Sequence, residues 1–168
     1  MPADHDLVLI GEIRRELGQS LWLREICHRE DGAPPHVDLV AERRNGDFVR
    51  GQIEAGLVAA CHDIADGGLL VTLAEMVMAG DVGCVLNAPP SNIPLHAFWF
   101  GEDQACYVVA TKSAQALLAA AEKAHVPARK LGHSGGKELK LADGIALKAS
   151  RLRDINAAFF PKFMGEDA

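Results

Sequence analysis

At 168 residues, 49% apolar and 24% charged, the chain can bury the core of one ordinary domain and is too apolar to be disordered. A formal charge of −6 with no basic block excludes a general nucleic-acid or acidic-membrane surface. No apolar run reaches the ~20 residues of a membrane helix, and "MPADHDLVLIGEI" lacks the charged and apolar regions of a secretory leader, so a cytoplasmic location is expected.

"DLVLIGE" (Asp6 to Glu12) is rich in Val, Leu and Ile and reads as a buried strand. "ELGQSLWLREICHRE" has helical spacing, with Ser20 as a possible cap, and "DGAPPH" is a loop. A helix is expected from Val37 to Ala55, then a short central strand in "GLVAACHDI". After "DGG", Leu69, Leu73, Met76 and Val77 mark one face of a helix over 69–79. "GCVLNAP" and "AFWFGEDQACYVVAT" supply three more strand runs, the last two parted by a polar turn, "GEDQ". Ser113 caps an Ala/Leu-rich helix, "SAQALLAAAEKA". "ARKLGHSGGKELKLADGIALKA" reads as a β-meander with Gly-Gly and Asp-Gly turns, and Ser150 opens a last helix before a polar tail. The mixture predicts an α+β fold: one mostly antiparallel sheet with helices packed on one face.

The four cysteines, Cys27, Cys61, Cys84 and Cys106, lie far apart with no CxxC pair, which argues for buried free thiols rather than zinc or disulfides. None of the seven histidines pairs with another on one helix face, and no nucleophile elbow or HExxH occurs.

Two stretches carry chemistry. In "HDIADGG", Asp63 and Asp66 sit where a strand ends, and both offer hard oxygen ligands to Mg²⁺, with Asp66 the metal candidate. Gly67 and Gly68 would let backbone N–H groups approach an anion at the start of the next helix. The same residues also suit a plain turn, in which Asp66 caps the helix, Gly67 takes a positive φ and His62 bonds a nearby backbone group. In "FGEDQ", Glu102 or Asp103 would either face a cleft or decorate a solvated hairpin tip. "GHSGGKEL" lacks the spacing of a phosphate-binding loop and reads as a turn.

"HDIADGGLLVTLAEM" and "FGEDQACYVV", followed in order by "LGHSGGKELKL" and preceded by "GEIRRELGQSLWLREI" and "PHVDLVAERRNGDFVRGQIEAGLV", resemble the C-terminal end of the phosphoribosylformylglycinamidine synthase family. The family belongs to the wider aminoimidazole-ribonucleotide-synthetase superfamily. The resemblance implies a domain of an ATP-dependent ligase. That ligase converts formylglycinamide ribonucleotide to its amidine, with glutamine as amido donor, in purine biosynthesis. It implies ATP and Mg²⁺ for the full-length enzyme and none bound tightly to this chain, which is expected to be inactive alone. The partners it implies are the missing N-terminal domains, a glutaminase subunit and a small accessory subunit, with no nucleic acid and no membrane.

Carried over by residue, Asp63, Asp66, Gly67, Gly68, Glu102 and Gln104 would face a nucleotide-binding cleft, either the catalytic or an auxiliary one, and none is assigned as catalytic. The expected organisation is 1–17 as the end strand and linker of an absent ATP-binding domain, 18–160 as the α+β domain, and 161–168 as a polar tail. A selenophosphate synthetase or thiamine-monophosphate kinase domain, or a non-catalytic interaction module, are the alternatives.

Overall fold

The computed structural model describes residues 1–165. Seven strands form one sheet: β1 (Asp6–Ile10), β2 (Ala60–Asp63), β3 (Cys84–Leu86), β4 (Tyr107–Thr111), β5 (Ala128–Ser134), β6 (Glu138–Lys140) and β7 (Ala146–Lys148). The helices are α1 (Leu39–Glu54), α2 (Gly68–Gly80), α3 (Leu95–Phe100), α4 (Ala114–Lys123) and α5 (Ala149–Phe163). Strand order is β2-β4-β1-β5-β3-β6-β7, and only the β3–β6 pair is parallel. The expected α+β class with a mostly antiparallel sheet is therefore what the chain adopts.

β1 organises both faces. Its side chains alternate, Leu7 and Leu9 to one side and Val8 and Ile10 to the other, each at most 1% exposed. Leu7 and Leu9 join a cluster with Leu69, Leu73 and Val77 of α2 and Phe98 of α3. Val8 and Ile10 join Phe48 and Val49 of α1 and Leu117 and Ala121 of α4. Helices thus cover both faces, where one was expected. The continuous apolar run of β1 is the signature of a strand buried on both sides.

The structure corrects the boundary drawn at residue 17. β1 pairs over its length with β4 and β5, so this segment is the middle of the sheet and no appendage of another domain. At the other end α5 continues through Pro161 to Phe163, so 161–163 extend the helix instead of starting a tail, and 166–168 lie outside the described residues. The N-cap of α5 is Lys148, not Ser150.

Other differences have local causes. "AFWF" lies in α3, because an apolar run of four residues does not distinguish strand from helix. The helix expected over 16–30 shrinks to one π-helical turn, Trp22–Ile26, bounded by positive φ at Gln19 and His28. β2 is an edge strand, not a central one. The meander is interrupted, since β3 inserts between β5 and β6, and only β6 and β7 form a hairpin. Cys84 and Cys106 are buried as expected, whereas Cys27 and Cys61 are exposed. The α2 face is as predicted, and Ser113 Oγ accepts the Ala116 N–H to cap α4.

Deleting residues 1–17 removes the strand that anchors both clusters. The truncated chain is expected to lose its cooperative thermal transition; a sharp transition in calorimetry would return these residues to another domain.

Candidate functional site

The antiparallel pairing of β2 with β4 and of β4 with β1 sets Asp63 and Ile10 on either side of Tyr107. One end of the sheet therefore gathers the segments that follow β1 and β2 and the segment that precedes β4. "GEDQ" lies in that last segment. It links α3 to β4 and is no hairpin tip: Glu102 is 8% exposed and Asp103 1%.

Glu102 ties the three segments together. Its Oε1 accepts the Gly67 N–H at 2.8 Å and the Leu21 N–H at 2.8 Å, while its own N–H donates to the Glu16 carbonyl at 2.8 Å. The negative charge that a helix N-terminus favours is supplied here by a side chain of the protein itself. Asp66 does not cap α2; the N-cap is Gly67, φ 82°, with no side-chain cap bond.

Asp103 occupies a second anion-holding turn. Its Oδ1 accepts the Arg14 N–H at 2.7 Å, and Arg15 takes a positive φ of 77°, which turns consecutive N–H groups inward. Burial pushes the carboxyl pKa above its ordinary value, opposed by the N–H groups of Arg14, Glu16 and Arg15. Oδ2 is buried without a hydrogen-bond partner.

The two glycines are required by geometry. Gly68 has φ 72°, and a Cβ there would sit 2.6 Å from the Gly101 carbonyl oxygen and 2.7 Å from the Phe100 carbonyl carbon. The start of α2 thus abuts the end of α3. Trp22 stacks on Phe100 at 4.4 Å and seals the outside of that junction. The expected phosphate cradle is not formed, however. The Gly67 N–H is taken by Glu102 and the Gly68 N–H donates to the Ala65 carbonyl at 3.0 Å.

Of the residues singled out from sequence, Gly67, Gly68 and Glu102 converge in the buried junction. Asp63, Asp66 and Gln104 remain exposed around it. Gln104 Nε2 donates to the Glu102 carbonyl at 3.3 Å, and the Asp63 carbonyl accepts from Thr72 Oγ1 at 3.1 Å. His62 Nδ1 lies 2.8 Å from the Asp63 carbonyl oxygen, a backbone contact of the kind expected, and its Nε2 lies 3.1 Å from Glu75 Oε2.

Among the described residues no group of three or more His, Cys, Asp or Glu side chains is placed to hold a metal ion. Asp66 would need ligands from outside this chain to bind Mg²⁺. The sequence reading also missed the 14–21 segment as part of the site. Its signal is its place in the family-like stretch "GEIRRELGQSLWLREI", which carries no residue of evident chemistry for a site.

The sequence profile described as "AIR synthase related protein, C-terminal domain" matches residues 3–143. The chain belongs to that family. β1 falls within the match, in accord with its place in the sheet. The chain is 71% identical over its whole length to phosphoribosylformylglycinamidine synthase subunit PurL of Gluconobacter oxydans and 61% identical over 94% of its length to that of Acidiphilium cryptum. It spans only 23% and 22% of those proteins.

Among solved structures, T. maritima PurL complexed with FGAR gives a TM-score of 0.73 at 17% identity, covering 90% of this chain and 28% of that one. E. coli HypE, a hydrogenase maturation protein, gives 0.57 at 16% identity, covering 88% of this chain and 50% of that one. At such identities these likenesses show a shared fold.

Glu102→Ala removes two charge-assisted hydrogen bonds and strands buried N–H groups; a loss of about 3 kcal/mol is expected in urea unfolding. Glu102→Gln, which keeps an acceptor, should lose less. For Asp103 the folded state holds its proton more tightly than the unfolded state. Its favourable contribution is therefore full below the ordinary value of 3.8 and is lost as pH rises through the higher folded value. Asp103→Asn should flatten that decline in stability, measured by denaturant unfolding across the acid range; an unchanged profile would contradict the assignment.

Proposed function

We propose that this chain is the C-terminal α+β domain of a phosphoribosylformylglycinamidine synthase. The full enzyme then makes formylglycinamidine ribonucleotide from formylglycinamide ribonucleotide with ATP, and glutamine serves as amido donor. The observation that carries this reading is 71% identity, without interruption of the domain, to a protein of that name. The chain covers 23% of that relative, so on this reading the remaining domains supply most of the catalytic machinery and the isolated chain is inactive.

On this reading the buried junction is a scaffold. Glu102 fixes the start of α2 against the 14–21 segment, and that fixes where Asp66 and Asp63 emerge. Asp66 is the residue that would reach a nucleotide-bound Mg²⁺ held mainly by another domain, and Asp63 and Gln104 would edge the same cleft. ATP with Mg²⁺ supplies phosphoryl activation when bound, while this chain contributes orientation and negative charge. The neighbour named "Structure of PurLQS from Thermotoga maritima" supports a complex with further subunits. On that basis a glutaminase and a small accessory subunit are the proposed partners. The compartment proposed is the cytoplasm; among the described residues no helix is long and apolar enough to cross a membrane.

The test grafts this chain into the Gluconobacter oxydans protein in place of its matching part. The chimera should retain synthase activity. Asp66→Ala in it should lower activity by at least tenfold. Because Asp66 makes no capping bond, stability should shift by no more than about 0.5 kcal/mol. An inactive but folded chimera would overturn the family function for this chain, and full activity of the Asp66→Ala form would overturn the role of Asp66.

A further inference from the structure

β5 lies beside β1 with Arg129 opposite Leu9, which places the guanidinium at the sheet end that also carries Gly11 and Glu12. The Arg129 guanidinium carbon sits 5.3 Å from the centre of the Phe98 ring. Phe98 is 1% exposed and is held edge-on by Trp99 at 4.8 Å, so the platform under the cation is rigid. Neighbouring cations are neutralised: Lys130 Nζ lies 2.6 Å from Asp6 and Arg14 Nε 3.3 Å from Glu12. Arg129 has no ion-pair partner among the described residues. Burial alone acts on its titration, lowering the pKa, with no carboxylate raising it.

Arg129 lines a cleft of about 250 Å³ with Leu9, Gly11, Asn92, Ile93 and Pro127. The Gly11 N–H is spent on the Pro127 carbonyl at 2.8 Å, and of the lining residues Arg129 and Asn92 are the two whose side chains carry hydrogen-bond donors. Glu12 also borders the cleft, its carboxylate engaged by Arg14. Sites for drug-sized ligands run from roughly 300 to 1,000 Å³, so this one suits a small group better than a whole nucleoside. An unpaired, partly desolvated guanidinium seated over an aromatic face keeps N–H donors free in a planar fork, the geometry that matches two oxygens of one acid group.

We propose that Arg129 and Asn92, seated on Phe98, form a subsite for a small oxyanion, phosphoryl or carboxylate. The subsite does not depend on the synthase reading, since it rests on groups wholly within this domain.

The experiment is an NMR titration of the ¹⁵N-labelled chain at constant ionic strength, with inorganic phosphate in one arm, acetate in a second and chloride as reference. Saturable shifts at the Asn92 side-chain amide and the Arg129 backbone N–H, half-complete at millimolar anion, are expected in at least one of the first two arms. Whichever anion saturates identifies the acid group. Arg129→Lys keeps the charge but loses the planar fork, and should weaken binding at least tenfold. Arg129→Met, which keeps the apolar stem over Phe98, should abolish it. Asn92→Ala, on an exposed loop, should weaken it without disturbing the core. Linear, unsaturable shifts with both anions, or equal saturation in Arg129→Met, would overturn the proposal and leave Arg129 as a stem packed on the core with a hydrated head.

Discussion

The carboxylate of Glu102 is the contact on which the functional end of the domain depends. One oxygen receives N–H groups from Gly67 and Leu21, positions widely separated in sequence, and the same residue's backbone binds Glu16. Three chain segments that the strand pairing brings to one sheet end are thereby tied to one another. The contact is effective because it is buried. A carboxylate bonded to N–H groups in a low dielectric interacts far more strongly than it would in water, and removing it leaves those donors unsatisfied.

This arrangement resolves the choice between a charged site and a capped turn in "HDIADGG". Neither simple form is present. At the helix start the Gly67 N–H is bonded by Glu102, and Asp66 makes no cap bond. Asp103 is likewise turned inward, its Oδ1 accepting the Arg14 N–H beside the positive φ of Arg15. Of the residues singled out in the two motifs, Asp63, Asp66 and Gln104 are the ones left exposed at this end. On the proposed function they would complete a site with groups from the rest of the enzyme, of which this chain spans 23% in the Gluconobacter oxydans relative.

Much of the fold was legible wherever a local rule governs. The α2 face, the Ser113 cap and the buried run of β1 all follow from periodicity or capping chemistry within a dozen residues. What was not legible depends on distant partners. Nothing within residues 6–12 says that β4 and β5, far along the chain, will flank them, so local reading places β1 with a neighbouring domain. The insertion of β3 between β5 and β6 is equally non-local, and the Gly-Gly stretch looks the same in a hairpin as in a loop that skips a strand. "AFWF" was ambiguous because burial on all sides erases periodicity. Glu102 was found by pattern and given the wrong surroundings, since an acidic tetrapeptide is ordinarily solvated.

Hydrogen exchange resolved at single amides tests the central claim most directly. In the intact chain the Gly67 and Leu21 amides should both be strongly protected. In Glu102→Ala they should lose protection together, while the β1 amides, supported by their own ladder, keep theirs in the surviving folded protein. Loss at only one of the two amides, or at neither, would contradict the account that a single buried carboxylate holds this end of the domain together.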